Sequence, residues 1–214
     1  PEPYFLFLAT FSLWQFYLFA KQGTWSSYFL SIIGLALAAL LKPFVIFLAP
    51  VYLVIIWQFR QKKLFQDPRI YFLPLLAFAP MLAWREWIKN FPTGVPVSDW
   101  LFNGNGIRLQ PAWFRWLFYE RITKLFLGYF GVLFLFANLL KKNQEMQIYG
   151  AWWLGIVIYF IVIATGNVQH DYYQNLSLPI MAISVARGMI ILYEKFNKKH
   201  ALLSIILLFG LSIF

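Results

Sequence analysis

The chain has 214 residues, of which 61% are hydrophobic and 12% charged, with a mean hydropathy of +0.65. That balance excludes an ordinary soluble domain, in which about a quarter of residues are charged. The absence of cysteine excludes a disulfide framework and any cysteine-based metal site or nucleophile. The net charge of +10 reads as lysine and arginine gathered on cytoplasmic loops, not as a nucleic-acid surface.

Eight apolar segments follow in chain order: residues 4–20, 27–41, 44–59, 70–87, 122–140, 148–165, 176–193 and 201–214. None shows the two-residue alternation of a β-barrel strand, and backbone groups in lipid must be satisfied within the segment, so all eight predict helices. The expected fold is all-α, a polytopic transmembrane helical bundle with about eight spans and one long extracytoplasmic loop, residues 1–214 forming a single transmembrane domain. Residues 27–41 are short for a span and predict a tilted or embedded helix. The chain starts on Pro1, and its last apolar run is shorter than the ~20 residues a span needs. It is therefore expected to be a fragment of a longer protein.

The charges orient the segments. Basic linkers occur at residues 60–69, at Lys141-Lys142 and at residues 195–200, and an even number of segments separates each from the next. Their positive charge predicts a solvated cytoplasmic face. The opposite side then receives Glu2, Lys42-Pro43, residues 88–121 and residues 166–175. Residues 88–121 are the only long connection and carry Trp100, Trp113, Trp116, Arg108, Arg115, Arg121 and the turn Asn103-Gly104-Asn105-Gly106. Long connections are usually functional. The tryptophans predict that this one folds over the bundle, with a short amphipathic helix over about residues 110–118 in the membrane interface.

Four places could carry chemistry. Lys42 follows an apolar run and precedes Pro43, which breaks a helix locally. A lysine there either snorkels to the headgroups or serves as the cation for a phosphate or pyrophosphate. Arg85-Glu86 ends the fourth segment; it reads as a neighbouring ion pair or as a second phosphate cation at Arg85. Glu2 is explained by the helix N-terminus it precedes, where negative charge is stabilised, or lines a substrate site. His170-Asp171-Tyr172-Tyr173 packs an imidazole, a carboxylate and two phenols at a membrane edge. An interfacial aromatic belt explains the tyrosines, but not the histidine and aspartate beside them, which suggest one lip of a polar site. No P-loop, dinucleotide fingerprint, zinc-protease helix or nucleophile elbow is present. One histidine beside one aspartate is too few ligands for a metal site, and no cofactor is expected.

These residues resemble the GT-C glycosyltransferases, the polytopic enzymes related to the dolichyl-phosphate-mannose–protein mannosyltransferases and the bacterial aminoarabinose transferases. His170-Asp171-Tyr172-Tyr173 with Pro179 is similar to that family's histidine–tyrosine–tyrosine–proline helix start. Leu40-Leu41-Lys42-Pro43-Phe44 with Pro50 looks like its lysine–proline span junction. Pro1-Glu2-Pro3 resembles its acidic start of a middle span. The resemblance runs along essentially the whole chain. It implies transfer of a sugar from a polyprenyl-phosphate-linked donor to a lipid, protein or glycan acceptor, outside a bacterial or archaeal plasma membrane. By the same resemblance Lys42 and Arg85 hold the donor phosphate, and Glu2, His170, Asp171, Tyr172 and Tyr173 line the donor or acceptor pocket. The family's catalytic acidic residue lies in a loop expected upstream of Pro1. Two rival classes stand beside this reading. One is a transporter or flippase for a lipid-linked or small anionic substrate, whose sites tend to sit at the midplane between internal repeats. The other is a structural membrane subunit without chemistry.

Overall fold

The computed structural model of the protein describes residues 2–60, 66–91, 99–141 and 145–195, with Leu203, Ser204, Ile206, Leu207 and Gly210. Among the described residues the secondary structure is helical throughout, with no strand. The chain divides into two compact units, residues 1–99 with 147–159, and residues 100–146 with 160–214.

In the first unit, α1 (Glu2–Gln22) and α2 (Trp25–Leu41) form a hairpin. Glu2 in the first turn of α1 and Lys21 in its last suit the helix dipole. Along α2, Ser27, Ser31, Gly34 and Ala38 are buried at helical spacing, and small residues of this kind let two apolar helices approach closely. The seam carries a buried hydroxyl network. Ser12 donates to the Ser31 carbonyl at 2.7 Å, Ser31 donates to the Ser12 carbonyl at 3.0 Å, and the Tyr52 hydroxyl lies 2.7 Å from Ser12 Oγ. These bonds satisfy hydroxyls that an apolar interior would otherwise penalise, and they tie α1 and α2 to α3 (Ala49–Arg60).

Pro43 ends α2. Lys42 is extended (φ −149, ψ 116), and Pro43–Leu48 continue as a 3-10 helix before α3. α4 (Pro68–Ile88) starts on Asp67, whose side chain accepts from the Arg69 amide, with Pro68 at the first position. Arg69 is no solvated linker charge. Its guanidinium bonds both oxygens of Asp67 at 2.8 and 2.7 Å and lies 5.0 and 5.1 Å from the ring centres of Phe19 and Trp25. The Tyr28 hydroxyl donates to the Arg69 carbonyl at 2.8 Å. This clasp fixes the start of α4 on the turn of the hairpin. Residues 147–159 of α8 (Met146–Val162) complete the unit, with Tyr159 packed on Phe44 and Phe47.

The second unit holds two one-turn helices, α5 (Trp100–Asn103) and α6 (Pro111–Phe114). From α6 the chain runs on as a π-helix over Arg115–Phe126. It breaks at Gly128 (φ +51) and Tyr129 (φ +59), then resumes as α7 (Gly131–Ala137) and a 3-10 turn over Asn138–Leu140. α9 (Ala164–Gln169), a 3-10 segment over Asp171–Ser177 and α10 (Leu178–Lys195) follow the last residues of α8. α7 packs along α10. Residues 88–121 are therefore not a loop throughout. The helix expected over residues 110–118 is present and longer, reaching Phe126.

The count of spans needs correction. Among the described residues two helical stretches are long and apolar enough to cross a membrane, Glu2–Gln22 and Asp171–Lys195, and the bent pair Pro111–Phe126 with Gly131–Leu140 makes a third if it is one span. The reason is helix breaks. Residues 44–59 split into a 3-10 and an α-helix, residues 122–140 bend by 102° at Gly128-Tyr129, and residues 148–165 stop at Val162. α2 has only 17 residues. α4 has the length, but Pro74, Pro80, Arg69 and Arg85 dilute its hydropathy. Most of the segment at residues 201–214, and the basic linker residues 61–65, 142–144 and 196–200, lie outside the described residues. Nor are the span interiors free of charge: Arg187 sits inside α10, where it donates to Asn138 Oδ1 at 2.9 Å and pairs with Glu145 at 3.3 Å.

A Cβ added at Gly34 would meet Phe11 Cδ1 and Ser12 Cβ at 3.2 Å and the Leu8 carbonyl at 3.3 Å. Gly34→Leu should push α1 from α2 and cost about 1–3 kcal/mol. The check is a thermal unfolding scan of the purified protein in detergent, in which an unchanged midpoint would contradict the close seam.

Candidate functional site

The residues singled out by sequence divide between the units. Glu2, Lys42 and Arg85 belong to the first, and His170, Asp171, Tyr172 and Tyr173 to the second.

In the first unit the hairpin brings the beginning of α1 to the end of α2. Glu2 Oε2 meets Lys42 Nζ at 2.6 Å, with side chains 22% and 16% exposed. Neither half of the pair is accounted for by a helix terminus or by snorkelling alone. The backbone break at Lys42 explains its position: the amide still bonds the Ala38 carbonyl at 2.8 Å, and its own carbonyl accepts from Val45 at 3.3 Å. From Val45 and Ile46 onward the chain lines an apolar cavity of about 160 Å³, shared with Phe16, Leu35, Tyr52 and Leu73. A cation at a helix break and an apolar cavity opening a few residues further on suit an anionic amphiphile. Arg85 does not join this pair. It is exposed on α4, and Glu86 pairs with Lys89 at 2.5 Å instead of with Arg85. The Arg85-Glu86 pair offered as one reading is thus replaced: Lys89, one helical turn on, reaches the Glu86 carboxylate.

In the second unit His170 is extended (φ −128, ψ 130) between α9 and the 3-10 segment. Its ring stacks on Tyr172 at 5.2 Å, meets Trp100 edge-on at 5.7 Å and lies 5.9 Å from Tyr173, while the two tyrosines are 4.7 Å apart. Asp171 is 61% exposed and only 3.9 Å from Arg121 Nη1, a weak pair at such exposure. The four neighbours in sequence therefore form one aromatic cluster with a carboxylate at its edge.

Sequence reasoning missed what holds that cluster. Gln174 is fully buried and donates through Nε2 to the carbonyls of Asn167 and His170. Arg121 donates to the Val168 carbonyl at 3.4 Å, and Arg108 donates to the Val162 carbonyl at 3.2 Å. Thr165 donates to Asn105 at 2.7 Å. α9 is thus a buried polar turn with carbonyls covered by Arg121 and Gln174, and Arg108 covers the last carbonyl of α8 before it. The polar run Thr165-Gly166-Asn167 inside an apolar stretch was the signal available. Several polar atoms around it are buried without a partner among the described residues: Arg108 Nε, Trp113 Nε1, Arg121 Nε, Asn167 Oδ1 and Gln174 Oε1. No three His, Cys, Asp or Glu side chains gather among the described residues.

Compared with models of known protein families, with curated proteins and with solved structures, the chain matches none.

Gln174→Leu strips hydrogen bonds from two backbone carbonyls, and each buried group left unsatisfied costs about 1–3 kcal/mol. The His170 break should loosen and the thermal midpoint should fall. Near-ultraviolet circular dichroism reports both, because Trp100, Tyr172 and Tyr173 pack on that break; a spectrum and midpoint identical to wild type would remove Gln174 from this role.

Proposed function

We propose that the protein belongs to a membrane glycosyltransferase of GT-C type, which takes a sugar from a polyprenyl-phosphate carrier at the extracytoplasmic face of a bacterial or archaeal plasma membrane. The observation that carries the reading is Lys42, paired with Glu2 at a helix break and followed in the chain by residues lining an apolar cavity. The cavity suits the prenyl chain, and the ammonium suits the phosphate. In this reading α2 and α3 are embedded beside the spanning helix α1.

Transfer joins an acceptor hydroxyl oxygen to the anomeric carbon and breaks its bond to phosphate, so charge grows on the leaving phosphate. A preplaced cation stabilises that charge. Lys42 does so here, with exposed Arg85 as the second phosphate cation. Glu2 holds the ammonium beside the break and shares it with the incoming phosphate. His170, Asp171, Tyr172 and Tyr173 line a donor or acceptor pocket, where aromatic faces and a carboxylate suit a sugar. The acceptor proton passes to a general base, a role given to no residue of this chain.

Binding tests the phosphate role without requiring turnover. Purified protein should bind undecaprenyl phosphate more tightly than undecaprenol. Charge-assisted contacts are worth about 1.5–3 kcal/mol, so Lys42→Ala should weaken the phosphate form roughly ten- to hundredfold and leave the alcohol unchanged. Lys42→Arg should keep part of the affinity. Equal loss for both ligands, or no loss, would take the phosphate away from Lys42. Radiolabelled sugar transfer from the same carrier in membranes then tests the reaction itself.

The sidedness has its own check in this cysteine-free chain. A single cysteine at Asn103 should react with a membrane-impermeant maleimide on intact cells, and one at Lys141 should not. The reverse pattern would put the proposed site on the wrong face.

A further inference from the structure

The second unit has a cavity that the transferase reading leaves unused. It has a volume of about 320 Å³, within the usual range for small-ligand pockets. It sits in the elbow between Pro111–Phe126 and α7, which meet at 102°. α10 supplies one wall through Leu178, Met181, Val185 and Met189, a stripe at helical spacing, and Gly131 leaves room at the elbow. Lys124 is the one charged side chain in the lining.

The geometry points to a site for an anionic membrane lipid, its phosphate on Lys124 and one acyl chain laid along α10. Three observations carry this. First, the cavity lies between the two helical stretches of this unit that are apolar enough for a membrane. The stripe from Leu178 to Met189 spans ~16 Å of helix, a length that accommodates much of an acyl chain. Second, α7 packs along α10, which is part of a stretch long and apolar enough to cross a membrane, and Pro111–Phe126 meets α7 at 102°, so that arm lies along the bilayer surface where α10 crosses it. Lys124, at the end of the first arm, is then at headgroup depth. Third, the ammonium is available. Its pair with Glu120 is a 3.6 Å contact between neighbours on one helix, with the lysine 55% exposed, and such pairs contribute little. Methionines on the wall adapt to a flexible chain. A free phosphate would find one exposed lysine and nothing more, so the chain is required. The inference rests on the membrane reading and not on the transferase reading.

The test uses the whole protein in detergent, exchanged with dioleoylphosphatidylglycerol or dioleoylphosphatidylcholine, with lipid retained per protein counted by mass spectrometry after gel filtration. Phosphatidylglycerol should be retained over phosphatidylcholine. Lys124→Ala should weaken phosphatidylglycerol about fivefold, the worth of one lysine at a lipid surface. Lys21→Ala, the same charge change at an exposed lysine of the other unit, should leave it unchanged. Ala182→Phe, which fills the cavity, should lower both lipids. Glycerol phosphate, the headgroup without a chain, should not compete. Equal retention of the two lipids, equal effects of Lys124→Ala and Lys21→Ala, or competition by glycerol phosphate would overturn the site. Loss of the Lys42 effect with the Lys124 effect intact would sink the transferase reading alone.

Discussion

A backbone that leaves the helix inside an apolar assembly exposes N–H and C=O groups that lipid cannot satisfy. Among the described residues the chain does this at Lys42, at the elbow and at His170, and at each of these it finds partners within itself. At Lys42 the amide reaches back to Ala38 and the carbonyl accepts from Val45. At the elbow the amides of Tyr129 and Gly131 bond the carbonyls of Thr123 and Leu127, both at 2.8 Å. At His170 the amide bonds Gly166 at 3.1 Å, and the carbonyl accepts from Tyr173 and from the Gln174 side chain. Each break places a polar side chain at or near a change of direction: Lys42, Lys124 and His170. The pairs, cavities and aromatic cluster described above all depend on those three interruptions being internally satisfied.

The sequence made two of the three breaks visible in different degrees. Pro43 removes an amide donor and marks the first directly. At His170 the polar run Gly166–Asn175 marks a junction, so the cluster is legible. Its support is not, because Gln174 and Arg121 reach α9 from positions that no local pattern links to it. The elbow was hidden. Gly128 sits in an otherwise apolar segment that reads as one span, and a non-glycine residue at positive φ, Tyr129, has no sequence signature. This also explains why hydropathy overcounts spans here. Hydropathy sums apolar residues along the chain, whereas a span requires those residues in one unbroken helix.

The use made of individual cations was not legible in the sequence. Arg69 reads as a solvated linker charge in sequence, yet it is fixed by Asp67 and two rings, and Arg187, unremarked in sequence, is fixed by Asn138, Glu145 and Met146. Arg108 and Arg121 cover backbone carbonyls. A planar guanidinium with five donors suits this multiple anchoring.

The two lysines given ligand roles are held differently. Lys42 and Lys124 each carry a point charge on a flexible stem, Lys42 beside Glu2 at 2.6 Å and Lys124 beside Glu120 at 3.6 Å. A phosphate can enter such a pair by sharing the ammonium, whereas freeing an arginine from a carbonyl would leave that carbonyl unsatisfied in an apolar interior. The division of labour follows from that difference in cost. Arg69, Arg108, Arg121 and Arg187 serve the fold because they are expensive to release, and the two lysines can serve ligands because they cost less. The closer, less exposed pair at Lys42 has more to lose when its partner is exchanged, so it suits a ligand with a strong and localised charge, while the looser pair at Lys124 suits a headgroup whose tail supplies most of the binding.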